Sequence, residues 1–241
     1  MNTASKAIAA FILLATAGCV SRPPTIAHVH LGHALTAVHV TPNREGYLPL
    51  AQDRAKQAYA FAQQARDGAE LGDMKAKIAA VVDATSSAQN FGLKQSLVMA
   101  ANHASFAATS DDASANVKQA APAFARDIAR VIERCELIAL LGKDVAASAS
   151  NEEVAVSLEE ILGLTLANAE GDDPDHDGKI GATPAEFGMK QLRSEFDTII
   201  AGENPPYTTV DQWYLFNLVR LPSGRWVFDK LNRGGNIDGY K

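Results

Sequence analysis

The chain has 241 residues, 47% hydrophobic and 21% charged, enough to bury a sizeable core in one domain or in a main domain with an appendage. Its formal net charge of −6 gives it no electrostatic reason to bind nucleic acid. Two cysteines would invite one disulfide in an oxidising compartment, provided that both thiols are available.

Lys6 precedes the apolar run Ala7 to Leu14, and Ala15-Thr16-Ala17-Gly18 leads into Cys19. A charged start, a short apolar stretch and small residues before a cysteine resemble a bacterial lipoprotein signal, and the run is too short to span a membrane as a mature helix. The resemblance implies that residues 1–18 are removed, that Cys19 carries lipid, and that the mature protein is anchored to a membrane through that lipid. Val20, not Asp, follows the cysteine; by comparison with lipoprotein sorting in Gram-negative bacteria this implies the outer membrane, facing the periplasm. With Cys19 lipidated, Cys135 has no disulfide partner. Its place on the apolar face Phe124, Ile128, Val131, Ile132, Cys135 and Ile138 makes it a small buried hydrophobe.

Residues 19–45 read as a tether and histidine-rich segment, for His28, His30, His33 and His39 lie within twelve positions. A fifth histidine, His103, falls beside Met99 and Phe106 on a helical stretch. Neutral imidazole is the commonest transition-metal ligand, so a subset of these five is a candidate site for Zn2+, Cu2+ or Ni2+. Geometry limits the subset. In an extended segment His28 and His30 share a face; in a helix His30 and His33 share one, and His28 and His39 another. The alternative is that the histidines pack and hydrogen-bond between the N-terminal segment and the rest of the fold. The string His28-Val29-His30-Leu31-Gly32-His33 approaches the His-x-His-x-Asp-His motif of metallo-β-lactamase-fold hydrolases, but Gly32 stands at the aspartate and no strand-rich sandwich surrounds it.

Residues 46–149 are rich in alanine and read as helices over about 48–67, 73–88, 92–108 and 115–141, with a further one over 151–168. Ala51, Ala55, Ala58, Ala62 and Ala65 line one face of the first, where a neighbour can approach closely. Short polar turns imply antiparallel neighbours, and hence a bundle of the four-helix type. Pro122 either lies in the first turn of its helix or kinks it.

Residues 150–204 open with the capping box Ser150-Asn151-Glu152-Glu153, and Val154, Leu158, Ile161, Leu162 and Thr165 form the apolar face that follows. Asp173, Asp175 and Asp177 then alternate before Gly178, Lys179 and Ile180. Alternation sets three carboxylates on one side of a turning backbone, Gly178 permits the turn, and the Lys179 carbonyl can add an oxygen. The pattern resembles an EF-hand calcium loop, with Ile180 directed into the core and His176 to solvent. It departs at the twelfth position, where Pro184 replaces the usual Glu. Thr183-Pro184-Ala185-Glu186 is itself a capping box, so Glu186 either closes a loop two residues longer than usual as its last Ca2+ ligand or only caps. Phe187, Leu192, Phe196, Ile199 and Ile200 form the next helical face, completing helix, loop and helix. EF-hands usually pair; a single loop must be covered by the bundle instead.

Residues 205–241 change character: Trp213 to Leu221 and Arg225 to Phe228, about a Pro222-Ser223-Gly224 turn, read as a β-hairpin followed by a tail. The fold class is therefore mainly α, a helical bundle with an EF-hand-like helix-loop-helix and a C-terminal hairpin. With His-x-His-x-Gly-His-Ala at 28–34, the alanine-rich helices, Asn116-Val117-Lys118 and Asp-Gly-Lys-Ile-Gly at 177–181, the chain resembles an uncharacterised family of bacterial exported helical proteins. That resemblance implies the fold and a metal role but no substrate. No His-Glu-x-x-His, Gly-x-Ser-x-Gly, phosphate loop or Cys-x-x-Cys-His occurs, so no enzymatic activity is expected. The expectation is a lipid-anchored envelope protein binding calcium through the acidic loop and a transition metal through histidines. The alternative is a structural or protein-interaction lipoprotein with a calcium staple alone.

Overall fold

A computed structural model describes residues 25–204, 207, 212–213, 218–220 and 226–228, so residues 1–18 and Cys19, where a signal and a lipid were expected, lie outside the described residues. The described chain is mainly helical. Its elements are α1 (Ile26–Leu35), α2 (Tyr47–Arg66), α3 (Leu71–Ser86), α4 (Leu93–Thr109), α5 (Ala115–Asp127), α6 (Ala129–Ala147), α7 (Asn151–Glu170), a single 3-10 turn (Pro184–Glu186) and α8 (Met189–Ala201). Among the described residues no helix is long and apolar enough to cross a membrane.

Helices α2, α3, α6 and α7 close a four-membered ring, each packed against the next. A second group, α1, α4, α5 and α8, stacks on one end of it. The alanine stripe of α2 serves both: Ala51 and Ala55 enter the core shared with the second group, and Ala58, Ala62 and Ala65 enter the core of the ring. All five are fully buried, because a methyl group lets helix backbones approach where a longer side chain would hold them apart. The expected single helix over 115–141 is two. Pro122 lies inside α5, well past its first turn, but the interruption falls at Ile128, where the chain passes from packing on α4 and α8 to packing on α3 and α7.

Cys135 is fully buried on α6, and burial pushes its thiol up to about 12, so it packs as a hydrophobe and supplies no thiolate. At the C-terminal end the described strands are β1 (Gln212–Trp213), β2 (Leu218–Arg220) and β3 (Trp226–Phe228), paired antiparallel in that order. The turn and tail expected there lie outside the described residues.

One titrating contact sits between α5 and α8. Burial, then the adjoining Asp127 carboxylate, pushes the Glu195 carboxyl up to about 7, while Arg126 pulls it down. An acid whose folded pKa is raised stabilises the fold fully below its unfolded value, and that contribution is lost as pH rises through the folded value. For Glu195 the window runs from its ordinary 4.5 to about 7. Glu195→Gln removes the titration and keeps the shape. Thermal melts should show the variant level with the parent near about pH 5 and more stable by roughly 2–4 °C near about pH 8, a difference of about 1 kcal/mol after allowance for solvent screening. An offset that does not change with pH would rule this contact out as the source.

Candidate metal sites

The histidine-rich segment is helical over Ile26–Leu35, and its turns decide which imidazoles meet. Thr25 Oγ1 accepts from the His28 amide (3.0 Å), and Asp112, from the α4–α5 connection, accepts from the amides of Ile26 (2.6 Å) and Ala27 (3.1 Å). These bonds fill the donors that a helix N-terminus leaves open. Ala27, Leu31 and Ala34 form the buried side of α1. At its other end the Gly46 backbone presses on the last turn; a Cβ there would lie 2.4 Å from the Leu35 carbonyl carbon, which requires glycine.

With α1 held in this way, His30 and His33, three residues apart, face His103 on α4. His30 Nδ1 lies 3.1 Å from His103 Nδ1, and one nitrogen of each of the three rings lies within 4.8 Å of the others. Two nitrogens bound to one tetrahedral zinc at about 2.0–2.1 Å stand roughly 3.3 Å apart, so small ring rotations would complete a three-histidine site. Tyr47, 2% exposed, stacks on His103 at 5.5 Å from the inner side. Phe106, 53% exposed, lies 5.5 Å from His30 and 5.9 Å from His103 on the outer side. Burial, then His33 and His30, pushes His103 down to about 4; burial likewise lowers His30, against the pull of Asp112. Both shifts favour the neutral ring at His30 and His103, the form in which imidazole binds metal.

The other two histidines separate from this set. His39 is exposed in the turn after α1, outside the helix that would have placed it beside His28. His28 is buried on another side, its Nε2 2.9 Å from Glu203 Oε2. Glu203 Oε1 accepts from Ser114 Oγ (2.6 Å) and Asn116 Nδ2 (2.7 Å). Burial alone would raise this carboxyl, but the hydrogen bonds from Asn116, Ser114 and His28 outweigh it and hold the group below its ordinary range. Ser114 Oγ also accepts from the Val117 amide (3.0 Å) as the N-cap of α5. Glu203, immediately beyond α8, therefore ties α8 and the start of α5 to α1 at a point two residues from His30. Nothing local in the sequence marks it; His28 and Glu203 are 175 positions apart.

The second site is the acidic turn between α7 and α8. Asp173 accepts from the amides of Asp177 (3.1 Å) and Gly178 (3.0 Å), Asp175 from Asp177 (3.2 Å), and Asp177 from Lys179 (2.8 Å). Positive φ at His176 (59°) and Gly178 (79°) turns the chain, and one oxygen of each Asp lies within 4.8 Å of the others. Lys179 is exposed on the same turn, its ammonium 3.7 Å from Asp177. His176 is exposed, as its place between aspartates implies.

Two details differ from the expected loop. Glu186 is buried and turned away from the triplet: its carboxylate accepts from Gly181 N, Ala182 N, Thr183 N and Thr183 Oγ1 at 2.7–3.1 Å. The Thr183 hydroxyl and then these amides, against burial, hold it below the ordinary carboxylate range. Both oxygens are engaged in that cap, and Glu186 is not among the carboxylates that converge with Asp173, Asp175 and Asp177. Ile180, expected in the core, is 52% exposed and lies over Gly171. A lone loop offers no second hand against which this side chain could pack.

An unforeseen residue ties the turn to the bundle. Arg134, on α6 and 1% exposed, donates through Nη1 to the carbonyls of Phe187 (2.7 Å) and Ala167 (3.4 Å), and through Nη2 to that of Ala185 (3.4 Å). The same Nη2 lies 3.6 Å from Asp172 Oδ2. One guanidinium thus holds the chain on both sides of the acidic turn, a geometry that its planar fork can make and an ammonium cannot. The available signal was an arginine between Val131 and Ile138 on an otherwise apolar face. Comparison with protein-family models, with curated proteins and with solved structures finds no match to this chain.

Proposed function

We propose that this chain is a lipid-anchored metal-binding protein of the bacterial envelope, facing the periplasm. His30, His33 and His103 bind a transition metal and the acidic turn binds calcium. The observation that carries the first part is the meeting of three imidazoles from two helices within 4.8 Å, walled by Tyr47 and Phe106. All-nitrogen ligation favours copper, nickel or zinc over calcium or magnesium. The three carboxylates and the pre-turned backbone of residues 173–178 support the calcium reading, with an EF-hand-like helix-loop-helix built on α7 and α8. The anchor rests on the signal-like segment ending at Cys19. Antiparallel pairing of β2 with β3 supports a C-terminal hairpin.

The structural reading has one specific observation in its favour: 3.1 Å between two imidazole nitrogens is also a hydrogen-bond distance. Metal content separates the two readings. Tag-free protein dialysed against zinc should retain about one equivalent, His103→Ala should lose it, and His39→Ala should keep it. Equal retention by both variants would leave the histidines structural. Cys19→Ser should release the protein from washed membranes; continued pelleting would remove the anchor from this account.

A further inference from the structure

We infer that an ion held by His30, His33 and His103 keeps one coordination position for a small anion or water from outside the protein. The inference rests on the three-histidine reading above and adds what the centre would bind.

Ligand number is the first argument. Among the described residues the histidine, cysteine and carboxylate donors that converge here are these three and no fourth. As dications, zinc, copper and nickel take at least four ligands, and three protein donors with one exchangeable position is the arrangement of open sites, whereas structural sites are closed by the protein.

Charge is the second. Imidazole ligates as a neutral donor, so three of them leave the dication uncompensated within its own coordination shell. The carboxylate nearest in influence, Asp112, is held by the amides of Ile26 and Ala27 as the cap of α1. An incoming anion would supply the missing charge, and a neutral molecule of the same size would not.

Access is the third. The three rings are half-buried rather than enclosed. Their inner side is closed by Tyr47, and on the outer side stands Phe106, itself 53% exposed. A ligand arriving from solvent passes that ring, which admits a small anion such as hydroxide, azide or a carboxylate and hinders a bulky one.

Cobalt(II) in the full-length, tag-free chain provides the test, because its d–d absorption reports coordination number and ligand exchange. Adding azide should produce a saturable change in that absorption together with an azide-to-cobalt charge-transfer band, while cobalt stays bound on gel filtration. Phe106→Ala should tighten binding of a larger anion such as benzoate several-fold more than that of azide. Cobalt bound with a spectrum indifferent to azide would overturn the open position and leave the three-histidine reading standing. Failure to bind cobalt at all, or the same azide response in His103→Ala, would overturn the reading and the inference together.

Discussion

Replacing Arg134 by methionine should lower the melting temperature by roughly 6–12 °C, the equivalent of about 3 kcal/mol in a chain of this size. Methionine keeps much of the packing, so the loss comes from the carbonyls of Ala167, Ala185 and Phe187, which the guanidinium now satisfies. The Phe187 carbonyl would lose its 2.7 Å donor, that of Ala167 would keep only the Gly171 amide (3.0 Å), and that of the exposed Ala185 would turn to solvent. Arg134→Lys should recover only part of the loss, since an ammonium cannot fork to carbonyls on both sides of the turn. A melting temperature within about 1 °C of the parent would show that the acidic turn is held by other means.

Calcium should raise the melting temperature of the parent protein by roughly 5–10 °C at a concentration about 100 times the dissociation constant, where binding to the native state alone contributes about 2.7 kcal/mol. The turn is already shaped by amide bonds to Asp173, Asp175 and Asp177, so an ion gains ligands without first ordering the chain. It would also relieve the repulsion of three carboxylates within 4.8 Å. Because Glu186 is held by four donors of its own loop, Glu186→Gln should loosen the cap but leave the calcium response largely in place. Asp173→Ala with Asp177→Ala should abolish the response. A calcium shift that survives the double substitution, or its absence in the parent, would contradict the site.

The helices were legible because their apolar faces repeat at the helical period. The segments expected at 48–67, 73–88, 92–108 and 151–168 are α2, α3, α4 and α7 to within two residues at each end, and the alanine stripe is buried as its spacing requires. The segment 115–141 starts where α5 starts but hides a break and stops short of Ala147: periodicity continues through Ile128 although the packing partners change there. The histidines could be counted but not sorted, since His28, His30, His33 and His39 divide differently in a helix and a strand. Thr25 and the remote Asp112, which cap α1, settle that division. Glu203 and Arg134 act across long stretches of chain, through contacts that no local pattern records. Glu186 was ambiguous in the sequence because a capping box and a displaced calcium ligand require the same residue at the same place.

The most direct measurement is the zinc K-edge X-ray absorption spectrum of tag-free protein carrying one equivalent of zinc. The predicted spectrum has three imidazole nitrogens at about 2.0–2.1 Å with the outer-shell scattering of the rings, one light atom completing the shell, and collapse of the imidazole signal in His103→Ala. A shell of oxygen atoms with no imidazole scattering, or a spectrum unchanged by that substitution, would contradict the three-histidine site.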